Sequence, residues 1–153
     1  MVRLPLFINS FYAQAESIKT SGTFYESRDT TKGHTPVSVA DIGKACADIL
    51  AAPEKHRCTV YKIIMPSFCL DDVAQVFSKT LCTTVPYQAA KESFMSMGFP
   101  EWQVDGIMEL YKMCDEDNPI VNETTNTSDI ETITGEKPMT VQEWVEANKA
   151  GFS

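Results

Sequence analysis

The chain has 153 residues, 43% of them apolar and 22% charged, and a net charge of −8; that is enough length and apolar side chain for one globular domain with a buried core, and it argues against disorder along the whole chain. Lysines and arginines are scattered rather than gathered into a stripe with interleaved aromatics, which argues against a nucleic-acid surface or an anionic membrane, since neutralising phosphates needs clustered cations. No apolar run approaches the roughly 18 residues a membrane span needs, and MVRLPLFINSFYAQAES lacks the small-residue cleavage site of a secretory leader, so an intracellular, cytoplasmic protein is expected.

VRLPLFI at 2 to 8 is an apolar run holding Pro5, which suits an edge strand or a strand end. FYAQAESIK at 11 to 19 predicts a short helix ended by Gly22, and Thr23-Phe24-Tyr25 a brief strand before the polar loop ESRDTTKGHTP. The clearest periodicity lies in SVADIGKACADILAAP, where Ile42, Ala45, Cys46, Ile49 and Leu50 share one helical face. Ser38 or Asp41 is placed to cap this helix, and Pro53 stands just past its end. CTVYKIIM at 58 to 65, rich in β-branched residues and stopped by Pro66, predicts a strand.

LDDVAQVFSKTL at 70 to 81 predicts a second amphipathic helix, with Asp71 and Asp72 beside its positive N-terminal end, and VPYQ at 85 to 88 a short strand. From 89 to 118 the pattern is helical, interrupted at Gly98-Phe99-Pro100; the later part sets Val104, Ile107, Met108, Tyr111 and Cys114 on one face. Ser128-Asp-Ile-Glu131 and Thr140-Val-Gln-Glu143 both fit the capping box, which predicts two short helices. Strand and helix alternate at first, and the chain finishes mostly helical.

Chemistry is harder to find. The five cysteines are odd in number and form no CxxC pair or cluster with the two histidines, so reduced thiols are expected and no metal site. His34, in a Gly/Thr/Pro loop, and His56, between Lys55 and Arg57, read as solvated. Asp71-Asp72 and Asp115-Glu-Asp117 read as helix-end and loop charge. Tyr87-Gln-Ala-Ala-Lys91 has the Tyr-x-x-x-Lys spacing by which short-chain dehydrogenases set a phenol one turn from an ammonium. That pair works only beside a nicotinamide, and none of the seven glycines forms the G-x-G-x-x-G turn that would hold one, so chance spacing is the expectation and no catalytic residue is assigned. Phe94, Phe99 and Trp102, with Met95 and Met97, are candidates for an apolar substrate pocket, weighed against ordinary core.

Taken together, RLPLFINSF, TPVSVADIGKA, GFPEWQVDGIMELY and TGEKPMTVQEWVEANKAGF resemble the C-terminal half of the NmrA-like family, atypical relatives of the short-chain dehydrogenases. The four blocks stand in the family's order and cover nearly all of the chain. The resemblance implies an α/β fold: the C-terminal part of a Rossmann-type NAD(P)-binding fold, with late strands and helices over 1 to 65 and a mostly helical, substrate-side subdomain over 66 to 153. It implies NADP or NAD as the family's cofactor, held chiefly by an N-terminal glycine-rich half that this sequence lacks, so that tight binding to this chain alone is not expected.

Family members often read aromatic-aromatic-Glu-Asn where the chain passes the nicotinamide end. Here the matching stretch is Phe7-Ile8-Asn9-Ser10, and the departure from Glu-Asn to Asn-Ser changes the polar contacts it offers. The implied function is NAD(P)-linked binding or redox sensing, not active alone; the alternative is the substrate-side half of an NAD(P)H-dependent quinone or carbonyl oxidoreductase. Partners implied are a second copy or a regulatory protein, and a small-molecule substrate. A fragment, an isoform or a split product are all consistent with such a chain.

Overall fold

Pro5 has no N–H to give a ladder, and it cuts the first strand short. In the computed structural model, which describes residues 1–77, 81–116 and 128–152, β1 covers only Val2–Arg3 and pairs in parallel with β4 (Tyr61–Lys62). The backbone regains a parallel neighbour at a bridge between Phe7 and Val37, where Ile8 N donates to the Val37 carbonyl and Val37 N to the Leu6 carbonyl. A 3-10 segment over Ile8–Gln14 runs into α1 (Ala15–Ser21), which ends at Gly22 with φ 63°. Only glycine takes that left-handed position without a steric cost. The strand expected next is β2 (Thr23–Glu26), and β3 (Gly33–His34) closes the polar loop.

The periodic helix is α2 (Val39–Ala51), and the choice between two caps resolves into two roles. Ser38 Oγ accepts from Asp41 N at 3.0 Å, a bond of the kind that stabilises a helix by about 1 kcal/mol. Asp41 itself is buried, and its Oδ2 accepts from Met139 N at 3.0 Å, tying the C-terminal segment to the helix. Of the apolar stripe, Ala45 is wholly buried and Ile42 packs beside it, but Leu50 is 77% exposed. The last turn of α2 runs past the core, so the stripe extends further in sequence than the packing does.

The strand expected at 58 to 65 shortens to β4, because Cys58 takes a left-handed φ of 56° and breaks the extended run. Ile63, Ile64 and Met65 continue into the interior as buried non-ladder chain. β5 (Phe68–Cys69) pairs antiparallel with β3 and leads into α3 (Leu70–Val76). That helix does not reach Leu81 as its pattern suggests. Leu81 opens β6 (Leu81–Thr84), parallel to β2 with Thr23 opposite Leu81 and Glu26 opposite Thr84; residues 78–80 lie outside the described ones. The strand expected at 85 to 88 is therefore placed too late, and α4 (Tyr87–Ser96) begins inside it, behind Pro86. Two long helical segments follow as expected, α4 and α5 (Glu101–Asp115), broken at Gly98 with φ 87°; the expected end at 118 lies outside the described residues.

α6 (Ile130–Thr134) and α7 (Val141–Asn148) complete the chain. The box at Thr140 forms, with Glu143 N donating to Thr140 Oγ1 at 3.2 Å and Thr140 N to Glu143 Oε2 at 2.8 Å. The box expected at Ser128 does not form. Ser128 Oγ takes Ile64 N at 3.3 Å as well as Ile130 N at 3.4 Å, and Asp129 Oδ2 takes Lys62 N at 2.7 Å, so both side chains tie the start of α6 to the β4 segment.

Packing follows the apolar faces. Phe11 stands edge-on to Phe24 at 5.0 Å, Phe68 at 6.5 Å and Trp144 at 6.2 Å, pairs that add about 0.5–1.5 kcal/mol each beyond their buried area. Tyr12 stacks on Phe152 at 5.2 Å, and Gly151 is required beneath it: an added Cβ would lie 2.8 Å from the Tyr12 ring. Smaller clusters join α2 to α6 through Val37, Ile63 and Ile130, and α4 to α5 through Ala90, Val104 and Met108. Among the described residues no helix is long and apolar enough to cross a membrane, and Cys46, Cys58, Cys69 and Cys114 form no disulfide.

Candidate functional site

A buried ion pair forms where the chain leaves β2, between Glu26 at the strand's end and Arg28 in the bend that follows. Glu26 Oε2 accepts from Arg28 Nη2 at 2.5 Å, with side chains 8% and 9% exposed respectively. Glu26 Oε1 also takes Ser27 N at 2.9 Å and Arg28 N at 3.2 Å, so the carboxylate is fully engaged. The guanidinium lies 5.0 Å over the Tyr111 ring of α5, a cation–π contact. Burial works against its charge, but the hydrogen bond and charge of Glu26 outweigh it, and the pKa of Arg28 is raised.

Arg28 Nη1 sits 3.4 Å from His34 Nδ1 at the end of β3. A guanidinium can only donate, so this nitrogen of His34 is the acceptor and the neutral ring carries its proton on Nε2. Burial, then the Arg28 charge, push the His34 pKa down to about 4, so the ring is neutral at physiological pH. His34 is thus not the solvated loop residue its flanking sequence implies. Two donors in this cluster, Arg28 Nε and His34 Nε2, are buried without a hydrogen-bond partner.

Asp115, at the end of α5, fixes the loop beside them. Its Oδ1 accepts from Asp29 N at 2.9 Å, its Oδ2 from the Tyr87 hydroxyl at 2.5 Å, and its carbonyl from the Lys32 ammonium. Burial raises the pKa values of Tyr87, Tyr111 and Cys114 alike, with the Asp115 hydrogen bond adding to the shift of Tyr87. These groups are neutral at pH 7, and Cys114 is a poor nucleophile.

The cluster forms one side of a cavity of about 940 Å³. Phe7, Ile8 and Ser10 line it from the chain that follows β1, together with Leu4 and Leu6; Arg28, His34 and Tyr111 line it from the bend after β2, from β3 and from α5. Asn9 turns away, its Oδ1 accepting from Val39 N at 3.3 Å. Gly33 is on the wall because the backbone approaches closely there: a Cβ would lie 2.6 Å from Ser67 Oγ.

Phe94, Phe99 and Trp102 are not among the lining side chains. Phe94 and Phe99 meet edge-on at 5.6 Å near the α4–α5 junction, and Trp102 is 76% exposed. Tyr87 and Lys91 share a face of α4, but their polar ends are taken separately: the phenol by Asp115, the ammonium by Asp105 at 2.6 Å and Glu101 at 3.6 Å. The sequence reading missed Glu26, Arg28 and Tyr111. The available signal was Glu26-Ser-Arg28 running out of an apolar strand, an i, i+2 charge pair with opposite signs.

A dinucleotide fits these residues at one end only. Phe7, 43% exposed, and the exposed Ser10 present an aromatic face and a hydroxyl to a flat ring. The α-helix that starts on the wall at Leu70 carries Asp71 and Asp72 in its first turn, which repel a pyrophosphate rather than bind it.

No protein-family model matches the chain, and no curated protein matches it in sequence. Solved structures do match its fold. A nucleoside-diphosphate-sugar epimerase of Staphylococcus aureus superposes with a TM-score of 0.76 at 13% identity, covering 95% of this chain and 50% of that one. A triphenylmethane reductase of Citrobacter sp., solved with NADP(H), gives 0.72 at 19% identity over 95% and 51%. An NADPH-dependent quinone oxidoreductase of Escherichia coli gives 0.67 at 14% identity over 95% and 53%. The chain spans about half the length of these structures. Its fold is therefore that of the C-terminal part of Rossmann-type NAD(P)-dependent epimerases and reductases.

Proposed function

We propose that this chain is the ligand-facing part of an NmrA-like, NAD(P)-linked protein of the cytoplasm that binds and senses rather than turning over substrate by itself. The observation that carries the reading is the cavity with the Phe7 to Ser10 turn on one side and Arg28, His34 and Tyr111 on the other. Shared fold with NADP(H)-binding reductases supports it.

Phe7 and Ser10 would lie at the nicotinamide end of a bound NAD(P)H, whose chemistry would be hydride transfer. The chain's own part is to orient. Phe7 offers an apolar face and Ser10 a hydroxyl, with Arg28, His34 and Tyr111 on the same cavity's wall. The pyrophosphate has no cradle among the described residues and is held, in this reading, by a glycine-rich half outside the 153 residues. Of the wall's titratable groups, burial holds the His34 pKa down to about 4 and pushes those of the Tyr111 phenol and the Cys114 thiol up, which moves all three away from neutral pH. Signalling the bound state then falls to a regulatory protein or a second copy.

The second reading is the substrate side of an NAD(P)H-dependent quinone or carbonyl oxidoreductase. The fold it shares with an NADPH-dependent quinone oxidoreductase supports this reading. One experiment tests both. The purified chain is titrated with NADPH by fluorescence and thermal shift, then mixed with NADPH and a panel of quinones. Neither saturable binding nor turnover is expected. Saturable micromolar binding with a raised melting temperature overturns the missing-half reading, and turnover above buffer establishes the oxidoreductase.

A further inference from the structure

We infer that the junction of α4 and α5 is a docking surface for a basic amphipathic helix of a protein partner. Met95, Met97, Phe99 and Trp102 receive its apolar face, and Glu92, Glu101, Asp105 and Glu109 stand around them for its lysines and arginines. The inference rests on the reading that a regulatory protein registers the state of this chain, and it gives that protein a surface and a charge.

Scattered exposed apolar residues are ordinary, whereas a cluster of large ones marks an interaction site. Met95 is 41% exposed, Met97 59%, Phe99 37% and Trp102 76%, all between residues 95 and 102. The packing of the two helices does not use them fully. Ala90, Val104 and Met108 make that contact, with Phe94 and Ile107 against it, and Trp102 precedes Val104 by two residues, about 200° of helical turn, which sets it on the far side of α5. Tryptophan is enriched at binding hot spots, and methionine adapts its shape to varied apolar partners.

Charge selects the occupant. Residues 92 to 111 include Glu92, Glu101, Asp105 and Glu109, all exposed, and no lysine, arginine or histidine. Asp105 and Glu109 follow Trp102 at i+3 and i+7, on its own face of α5. Lys91 shares its ammonium between Asp105 at 2.6 Å and Glu101 at 3.6 Å, and Lys112 reaches Glu109 at 3.8 Å. These two cations answer two of the four negative charges. Glu92 accepts from the Gln88 amide at 2.8 Å and has no cation partner among the described residues. A second copy fits poorly, because the chain is acidic throughout, at −8, and a two-fold contact sets Asp105 and Glu109 against their own counterparts. An anionic membrane is repelled for the same reason.

Shape admits a helix. Gly106 stands one turn after Trp102 on the same face, and a Cβ there would meet nothing within 4 Å, so packing within this chain does not require a glycine where one weakens the helix. The bare turn beside the indole lets another backbone come close. At its other end α5 reaches the cavity with Leu110, Tyr111 and Cys114, so one helix carries both the docking surface and part of the ligand wall.

The test uses the full chain without cofactor and a helical peptide of leucine and lysine, about 15 residues long, beside one in which glutamate replaces every lysine. Trp102 reports directly, since the only other tryptophan, Trp144, is 2% exposed. The lysine peptide is expected to bind saturably, to shift Trp102 emission to the blue, and to bind about tenfold tighter than the glutamate peptide. In calorimetry, Trp102→Ala is expected to weaken the lysine peptide about tenfold. Gly106→Leu is expected to raise the melting temperature of the free chain while weakening the peptide about fivefold, opposite movements that misfolding does not produce. Equal affinity for the two peptides overturns the proposal, as does lysine-peptide affinity unchanged by Trp102→Ala. A blue shift with phosphatidylserine vesicles but not with the peptide assigns the surface to a membrane, and one that grows with the concentration of the chain alone assigns it to a second copy; both overturn the basic partner. NADPH is absent throughout, so failure here leaves the cofactor reading standing, and failure of the NADPH titration leaves this surface standing.

Discussion

Arg28 and Glu26 hold each other in the interior at the end of β2, Nη2 to Oε2 at 2.5 Å, with both side chains less than a tenth exposed. Removing one member leaves the other charged and desolvated, which costs about 3–5 kcal/mol, whereas replacing both with apolar residues of similar volume is often nearly neutral. Arg28→Ala is therefore expected to lower unfolding stability by about 3 kcal/mol, and Glu26→Leu combined with Arg28→Met to recover more than half of that loss. Urea unfolding of the two variants beside the wild type reads the difference. Equal losses would mean that the pair contributes through packing alone.

His34 makes stability depend on pH in a defined window. Its folded pKa of about 4 lies below the ordinary 6.5, so between these values the unfolded chain binds a proton that the folded chain refuses. Stability then rises with pH through the window. Acidifying from about pH 7 to about pH 4 should remove roughly 3 kcal/mol through this group, with no further His34 contribution below that. The charges that face it are Arg28, Glu26 and Asp115. Depressed carboxylates at Asp29, Glu136 and Glu143 contribute stability above their unfolded pKa that is lost at lower pH, so the quantity to measure is the wild-type curve minus that of His34→Phe. A flat difference between pH 7 and 4 would place His34 in water.

What the sequence made legible was whatever local pattern decides. The α2 helix with Ser38 before it, the left-handed stop at Gly22, the break at Gly98 and the box at Thr140 are short-range features, and each is in place. The misplacements have long-range causes. Leu81 fits the face of α3 by period, but pairing with Thr23 makes it a strand residue. Ser128 fits a capping box, but Ile64 N takes its hydroxyl from 64 residues away. The cavity was half visible: the family resemblance led to Phe7 and Ser10, whereas Arg28, His34 and Tyr111 come from three elements that only the fold brings together.

Asp41 shows how a helix-start carboxylate does more than complement a dipole. It is 3% exposed, and its Oδ2 is the acceptor for Met139 N, 98 residues later. Asp41→Ala leaves a partly buried amide without a partner and is expected to cost about 1–3 kcal/mol. Asp41→Asn retains an acceptor oxygen and should cost less than half as much. Hydrogen exchange at Met139 separates a lost tether from a weakened helix: the amide should become the fastest-exchanging site of its segment in Asp41→Ala while α2 amides stay protected.

Leu50 and Ile63 pose opposite cases of the same residue class. Both lie in apolar patterns that the sequence assigns to the interior, yet Leu50 is 77% exposed at the end of α2 and Ile63 is completely buried between Val37, Ala45 and Ile130. Ile63→Ala removes buried carbon and leaves a cavity, a change worth about 2–5 kcal/mol. Leu50→Gln changes only surface and should stay within about 0.5 kcal/mol in the isolated chain. The pair also distinguishes two assemblies. If the chain works alone, Leu50→Gln is silent in every assay; if another chain packs over the end of α2, the same substitution buries an amide at that contact and weakens association without altering the melting temperature of the free chain. Thermal unfolding of the two variants, followed by sedimentation over a concentration series, decides between them.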